Sequence, residues 1–119
     1  VSDTSETLLH ICTLADWLSV RESPGIEPES LSAVGFVHLS TPAQVHLPAN
    51  RLFAGRDDLI LLVLDPARLG SPVRWEPGVP GDPDAMVFPH LYGPLPTSAV
   101  TSVVEYLPGD DGTFTPPHL

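Results

Sequence analysis

The chain has no lysine: its five basic residues are Arg21, Arg51, Arg56, Arg68 and Arg74, set against fifteen aspartates and glutamates for a formal charge of −10. Without a lysine amine there is no Schiff base, no lysine-linked pyridoxal phosphate and no P-loop. So large an excess of negative charge also repels a phosphate backbone, which is held by several cationic contacts that release counterions. Nucleic acid is therefore not an expected partner. Cysteine is nearly absent, and the lone Cys12 makes no internal disulfide, in keeping with a reducing compartment. No apolar run approaches the roughly 20 residues that a bilayer-spanning helix needs. Residues 1–7 are polar and acidic, unlike a secretory signal. The expectation is a soluble, cytoplasmic protein without a membrane partner.

What is present is enough apolar material for one core: 119 residues, 42% hydrophobic, with a mean hydropathy of +0.13. Leu8 to Cys12 reads as a first strand with Leu8, His10 and Cys12 on one face, and Thr13-Leu14-Ala15-Asp16 reads as a capping box opening a helix to about Arg21. Glu29 to Ala33 is a helical turn stopped near Gly35. In Phe36 to Ser40 the period of two places Phe36, His38 and Ser40 on one face and Val37 and Leu39 on the other. Thr41-Pro42-Ala43-Gln44 then predicts a helix capped by Thr41 and running to Ala54, with Gly55 as its stop.

Asp58 to Asp65 holds six consecutive apolar residues, too few for an ordinary helix, and predicts a strand buried on both faces at the centre of a sheet. Val73 to Glu76 is a short strand, Pro77 to Asp84 a proline- and glycine-rich loop, and Val87 to Tyr92 a further strand. Thr97 to Val100 reads as a helical turn and Thr101 to Leu107 as a β-branched last strand. The organisation is one α+β domain over residues 1–107, followed by a poorly ordered tail over 108–119.

The chemistry rests on three histidines in three separate strands: His10, His38 and His90. An imidazole inside an apolar strand is hydrogen-bonded or used, and if the strands lie side by side the three rings line one pocket. The hydroxyls of Thr13, Ser40 and Thr41 stand just past the ends of two of these strands; helix capping is the plainer role of Thr13 and Thr41. Glu76 shares a strand face with Arg74. It serves either as a general acid or base with a pKa raised by burial, or as the ion-pair partner of Arg74. Tyr92 shares the face of His90 and is placed to bind a ligand, whereas Trp17 is most simply a core anchor. No His-x-His, His-x-x-x-His or cysteine pair is present, so no metal is assigned to the three imidazoles. His46 and His118 are not placed in the site.

Several segments together carry a resemblance: His10-Ile11-Cys12-Thr13 with Trp17, Gly35-Phe36-Val37-His38-Leu39-Ser40-Thr41, Gln44-Val45, Ala49-Asn50-Arg51, Leu62-Val63-Leu64-Asp65, Trp75-Glu76 and, most distinctive, Phe88-Pro89-His90-Leu91-Tyr92-Gly93-Pro94-Leu95. From about Leu8 to Leu107 the chain resembles the bacterial domain-of-unknown-function family nine-five-two. It departs from that pattern at Val34, where an acidic residue is expected. The family in turn is similar to the ADP-ribosyltransferase superfamily, nearest its RNA 2'-phosphotransferase branch. That resemblance implies a split mixed β-sheet with two or three short helices, and NAD or a related nucleotide as ligand. It places His10 at the adenosine-side ribose, Ser40 at the nicotinamide end and Arg51 or Arg56 at the phosphates. It leaves Glu76, Glu105 or His90 to stand for the superfamily's glutamate.

The reading is thus a small enzyme acting on a small-molecule substrate, with His38, His90 and Glu76 as catalytic residues and His10, Thr13, Ser40, Thr41, Arg51 and Tyr92 as ligand-binding ones. A non-catalytic binding or regulatory module and a nucleotide-independent acid/base enzyme are the alternatives. The sequence does not give the oligomeric state.

Overall fold

The computed structural model describes residues 7–77, 87–117 and 119. In chain order the elements are β1 (Leu8–Thr13), α1 (Leu14–Val20), β2 (Gly25–Ile26), α2 (Glu29–Val34), β3 (Val37–His38), α3 (His46–Phe53), β4 (Leu59–Leu64), β5 (Val73–Pro77), β6 (Val87–Leu91), β7 (Leu95–Pro96) and β8 (Val100–Glu105), with 3-10 turns at Pro66–Arg68 and Thr97–Ala99. The strands form two three-stranded sheets, β1-β4-β8 and β3-β6-β5, and a ribbon of β2 with β7. A bridge between Leu9 and Ser40 joins the two sheets. This is the expected small α+β domain with short helices.

The expected mixed sheet is corrected. Every pairing between described strands is antiparallel. The backbone N–H of Leu14 donates to the Asp58 carbonyl at 2.9 Å, so the chain leaves β1 and enters β4 at the same end of the sheet. Two strands joined in that way run in opposite directions.

β4 is the middle strand of its sheet and is buried on both faces, as its unbroken apolar run requires. Ile60, Leu62 and Leu64 pack with Leu8, Val37, Leu39 and Leu91 on one side. Leu59 and Leu61 pack with Leu9, Val45, Ala49, Tyr106 and Phe114 on the other. The alternating residues of β1 therefore divide between two apolar layers, and the face carrying Leu8, His10 and Cys12 is the one turned toward β3.

Two elements are shorter than expected, each because of a proline. The strand through Phe36 to Ser40 is reduced to Val37–His38, since its next residue opposes Pro89. Leu39 N–H donates to the Pro89 carbonyl at 3.0 Å, but proline has no N–H with which to return the bond. The helix expected from Thr41 begins only at His46, because Pro48 cannot donate to the preceding turn and is tolerated only in the first turn of a helix. Residues 42–45 instead form a turn in which the N–H groups of Gln44 and Val45 both reach the Thr41 carbonyl at 3.0 Å. α1 and α2 match their signals: the Thr13 side chain accepts from Asp16 N–H, and Gly35 closes α2 at a φ of 89°.

Past β8 the chain does not trail away as expected. Phe114 is buried, its N–H and carbonyl are held by the Asn50 side chain at 2.7 and 3.0 Å, and Tyr106 donates to the Thr115 carbonyl at 2.6 Å. A single apolar anchor in a polar stretch is enough to fold it back onto α3. Of the stretch expected as a loop, Pro77 ends β5 and residues 78–84 lie outside the described residues, as does His118.

Gly93 follows β6 where the chain passes Ser71 closely: a Cβ there would overlap the Ser71 Oγ and stand 2.8 Å from its Cβ. Gly93→Ala is therefore expected to destabilise the domain by about 1–3 kcal/mol through overpacking. Equilibrium urea unfolding checks this, and an unchanged midpoint would refute it.

Candidate functional site

The sheet β3-β6-β5 places most of the site on one of its faces by the period of two. His38 on β3 opposes His90 on β6, and His90 opposes Arg74 on β5. Because Leu39 bonds to Pro89, the neighbouring His38–His90 pair is of the non-hydrogen-bonded kind, in which facing side chains come closest. Phe36, Tyr92 and Glu76, two residues along their respective chains, join the same face.

The rings obey that arrangement. Phe36 stacks on His90 with centroids 4.1 Å apart and planes 8° from parallel. The His38 ring stands nearly perpendicular to both, 5.0 Å from Phe36 and 5.3 Å from His90. Being almost equidistant from the two, it lies beside the stack and meets their edges. His90 is buried and His38 is exposed.

Glu76 ties the face together. Its Oε1 accepts from the Tyr92 hydroxyl at 2.5 Å and lies 3.1 Å from His90 Nδ1. These two hydrogen bonds, that of Tyr92 first, hold the Glu76 carboxyl below the usual range, and the same contact raises the Tyr92 phenol. Glu76 is thus ionised at neutral pH, not poised by burial as a proton donor. Nor does any ion pair among the described residues join it to Arg74, whose guanidinium lies over the Tyr92 ring, 4.8 Å from its centroid. A carboxylate only accepts, so the proton between the pair belongs to His90 Nδ1, and in the neutral ring Nε2 is left as an acceptor. That Nε2 is buried and has no hydrogen-bond partner among the described residues.

His10 reaches the same neighbourhood from the other sheet. Its Nδ1–H donates to the His38 carbonyl at 3.0 Å, which fixes the ring and leaves Nε2 as the second hydrogen-bonding atom. Burial lowers the His10 pKa despite this bond. Partial desolvation, with the charges of His90 and His10 behind it, lowers that of His38. The three imidazoles do therefore converge, but they do not line one cleft. A hollow of about 190 Å³ opens beside His10 and is walled by Cys12, Asp16, Trp17, Ile26 and Glu27, without His38 or His90. Burial and the charge of Asp16 push the Cys12 thiol up to about 12, so it is no nucleophile at neutral pH.

The remaining expected residues take plainer positions. Thr13 caps α1. Thr41 is buried and donates to Gln44 Oε1 at 3.1 Å, so it braces the turn before α3. Ser40 is buried at the inter-sheet bridge, exchanging backbone bonds of 2.7 and 2.8 Å with Leu9. Arg51 is exposed in the last turn of α3 and does not line the hollow. Arg56 is held by Asp58 through bonds of 2.9 and 2.6 Å, and Glu105 is exposed on the edge strand β8. Among the described residues no group of three His, Cys, Asp or Glu side chains is placed to hold a metal. No helix among them is long and apolar enough to cross a membrane.

The sequence reading missed Phe36 as the ring that covers His90, although its position two residues before His38 put it on that face. It also missed Asp16 and Glu27, which come to His10 only through the packing of α1 and β2, and it took Trp17 for core alone. Trp17 does pack against the apolar layer, and it is also a wall of the hollow.

Known proteins place the chain in a family without assigning it an activity. No curated protein matches it. The crystal structure of protein CC0527 from Caulobacter crescentus is similar at 31% identity and a TM-score of 0.76, with 92% of this chain and 93% of that one covered. The solution structure of the same protein gives 31% identity, a TM-score of 0.74 and 90% coverage of each chain. The family described as Protein of unknown function (DUF952) matches residues 11–103, which take in the strands bearing His38 and His90, the Ile11–Thr13 end of β1, and every wall of the hollow except His10. On that match the chain belongs to the DUF952 family.

Proposed function

We propose that this domain is a small-molecule enzyme that grips the glycosidic end of a nucleotide, with NAD as the first candidate and glycosyl transfer as the reaction. The observation that carries the reading is the hollow beside His10, which combines a fixed imidazole, two carboxylates and an indole. A nicotinamide riboside is a cation until its C–N bond breaks, and its ribose then takes on oxocarbenium character. Asp16 and Glu27 oppose that positive charge at both stages, and the Trp17 face attracts a cationic ring. His10 Nε2 suits a ribose hydroxyl.

Size and charge limit what else is held. At about 190 Å³ the hollow is smaller than the roughly 300–1,000 Å³ of a drug-sized site, so it takes a ring and part of a sugar. Among the described residues no arginine lines it, and Arg56 is committed to Asp58, so the diphosphate of NAD lies outside and adds little to affinity. Nicotinamide riboside should therefore bind about as well as NAD.

Calorimetric titration with each compound, followed by an assay for released nicotinamide, tests the reading. The expected result is binding of both and slow release, with affinity lowered at least tenfold in His10→Ala. Heat without release assigns a non-catalytic binding module. Neither heat nor release with either compound removes the nucleotide altogether.

A further inference from the structure

We propose that His90 is the general base of this domain, fixed by Glu76 with its proton on Nδ1 so that the Nε2 lone pair meets the O–H of a neutral acceptor, an alcohol or water, entering beside His38. The acceptor class deepens the transfer reading given above, and only the kinetic part of the test rests on that reading.

Three observations carry it. A buried nitrogen acceptor without a partner costs about 1–3 kcal/mol, and folded proteins seldom keep one. His90 Nε2 is such an atom among the described residues. The other ring nitrogen is not idle: it faces a Glu76 carboxylate that also takes the Tyr92 hydroxyl, so two donors lock one oxygen and the ring orientation with it. Finally, the ring beside His90 is the exposed His38, whose carbonyl is bound by His10 at the hollow. His38 thus connects the two neighbourhoods, its ring beside the base and its carbonyl at His10. An anionic acceptor is disfavoured there, since Glu76 is ionised and the Arg74 guanidinium lies over Tyr92.

In the step itself the acceptor oxygen forms a bond to the anomeric carbon as the C–N bond breaks. The electron pair of that bond leaves with nicotinamide, which departs neutral, and the acceptor proton goes to His90 Nε2. The positive charge of the glycoside ends as an imidazolium paired with Glu76. The charged and titratable groups that face His90 are Glu76 and Arg74 from β5, Tyr92 beyond β6, His38 from β3 and, through His38, His10 from β1. In this scheme Glu76 and Tyr92 are positioning residues.

Long-range proton–nitrogen spectra of the imidazoles in the full chain, at a pH where His90 is neutral, test the assignment. The expected wild-type signal is the Nδ1–H tautomer, with Nε2 shifting on titration with ethylene glycol as a neutral hydroxyl probe. Glu76→Ala should revert the ring toward the Nε2–H form preferred by free imidazole and abolish the glycol response, while Glu76→Asp should restore part of both. With NAD as donor, His90→Gln should lower kcat by about 10²–10⁴-fold with KM little changed. If His90→Gln does not fold, Glu76→Ala carries the kinetic comparison. An Nε2–H tautomer in the wild type, a silent glycol titration, or an unaltered kcat overturns the base. Absent nicotinamide release with the tautomer and glycol response intact overturns the glycoside donor instead and leaves the base standing.

Discussion

Leu62→Ala should lower the unfolding free energy by about 2–5 kcal/mol, the range for removing a buried leucine side chain from a packed interior. Leu62 is fully buried in the middle of β4. It pairs with His10 on one side and Val103 on the other, so no edge lets the structure close over the cavity. The loss is expected as a lower urea midpoint at unchanged slope. Val103→Ala is the control: it lies in the same register but exposed on the edge strand, and should move stability by no more than about 0.5 kcal/mol. Equal losses for the two would mean that β4 is not the centre of the fold. Leu62 belongs to the layer beneath both sheets, so the same variant should also loosen ligand affinity at His10.

What was legible in the sequence follows local rules, and what was not follows from distant partners. β4 was readable because six apolar residues admit one answer, α1 because Thr13 and Asp16 make a cap within four residues, and α2 because Gly35 takes a positive φ. The common face of His38, His90, Tyr92 and Glu76 was readable in pieces, since the period of two holds along each strand. Their assembly was not. The length of β3 depends on Pro89, some fifty residues away, and the start of α3 depends on the veto of Pro48 over the Thr41 signal. Glu76 shows the same limit in its chemistry: sequence gives a carboxylate near Arg74, to be either its ion-pair partner or an acid raised by burial, while the structure gives it Tyr92 and His90, which lower its pKa. The hollow was illegible because Asp16, Glu27 and His10 share no strand or helix.

Acidification should destabilise the domain from about pH 6.5 downward, well before its carboxylates titrate. Burial lowers the pKa of His10 in the fold from its ordinary 6.5. Between the two values the unfolded chain binds a proton that the folded one refuses, so stability is full above 6.5 and falls as pH drops toward the folded pKa. One such proton gives a slope of at most about 1.4 kcal/mol per pH unit. His38 shifts in the same direction and adds a smaller share because its ring is exposed. Glu76, Asp58 and Asp111 are also depressed, but their contributions are lost only below ordinary values of 4.5 and 3.8, a separate window. Relief of repulsion in a chain of charge −10 works the other way over the same range. That effect is spread over a screened surface and is common to variants, so the comparison with His10→Asn isolates the buried proton. The asparagine amide stands near the place of Nδ1 and can still donate to the His38 carbonyl without titrating. Unfolding free energies measured from pH 7.5 to 5 should converge at low pH as the wild type loses its advantage. Parallel curves for the two proteins would show that the His10 ring takes up its proton in the folded state as readily as in water, and that the fold does not desolvate it.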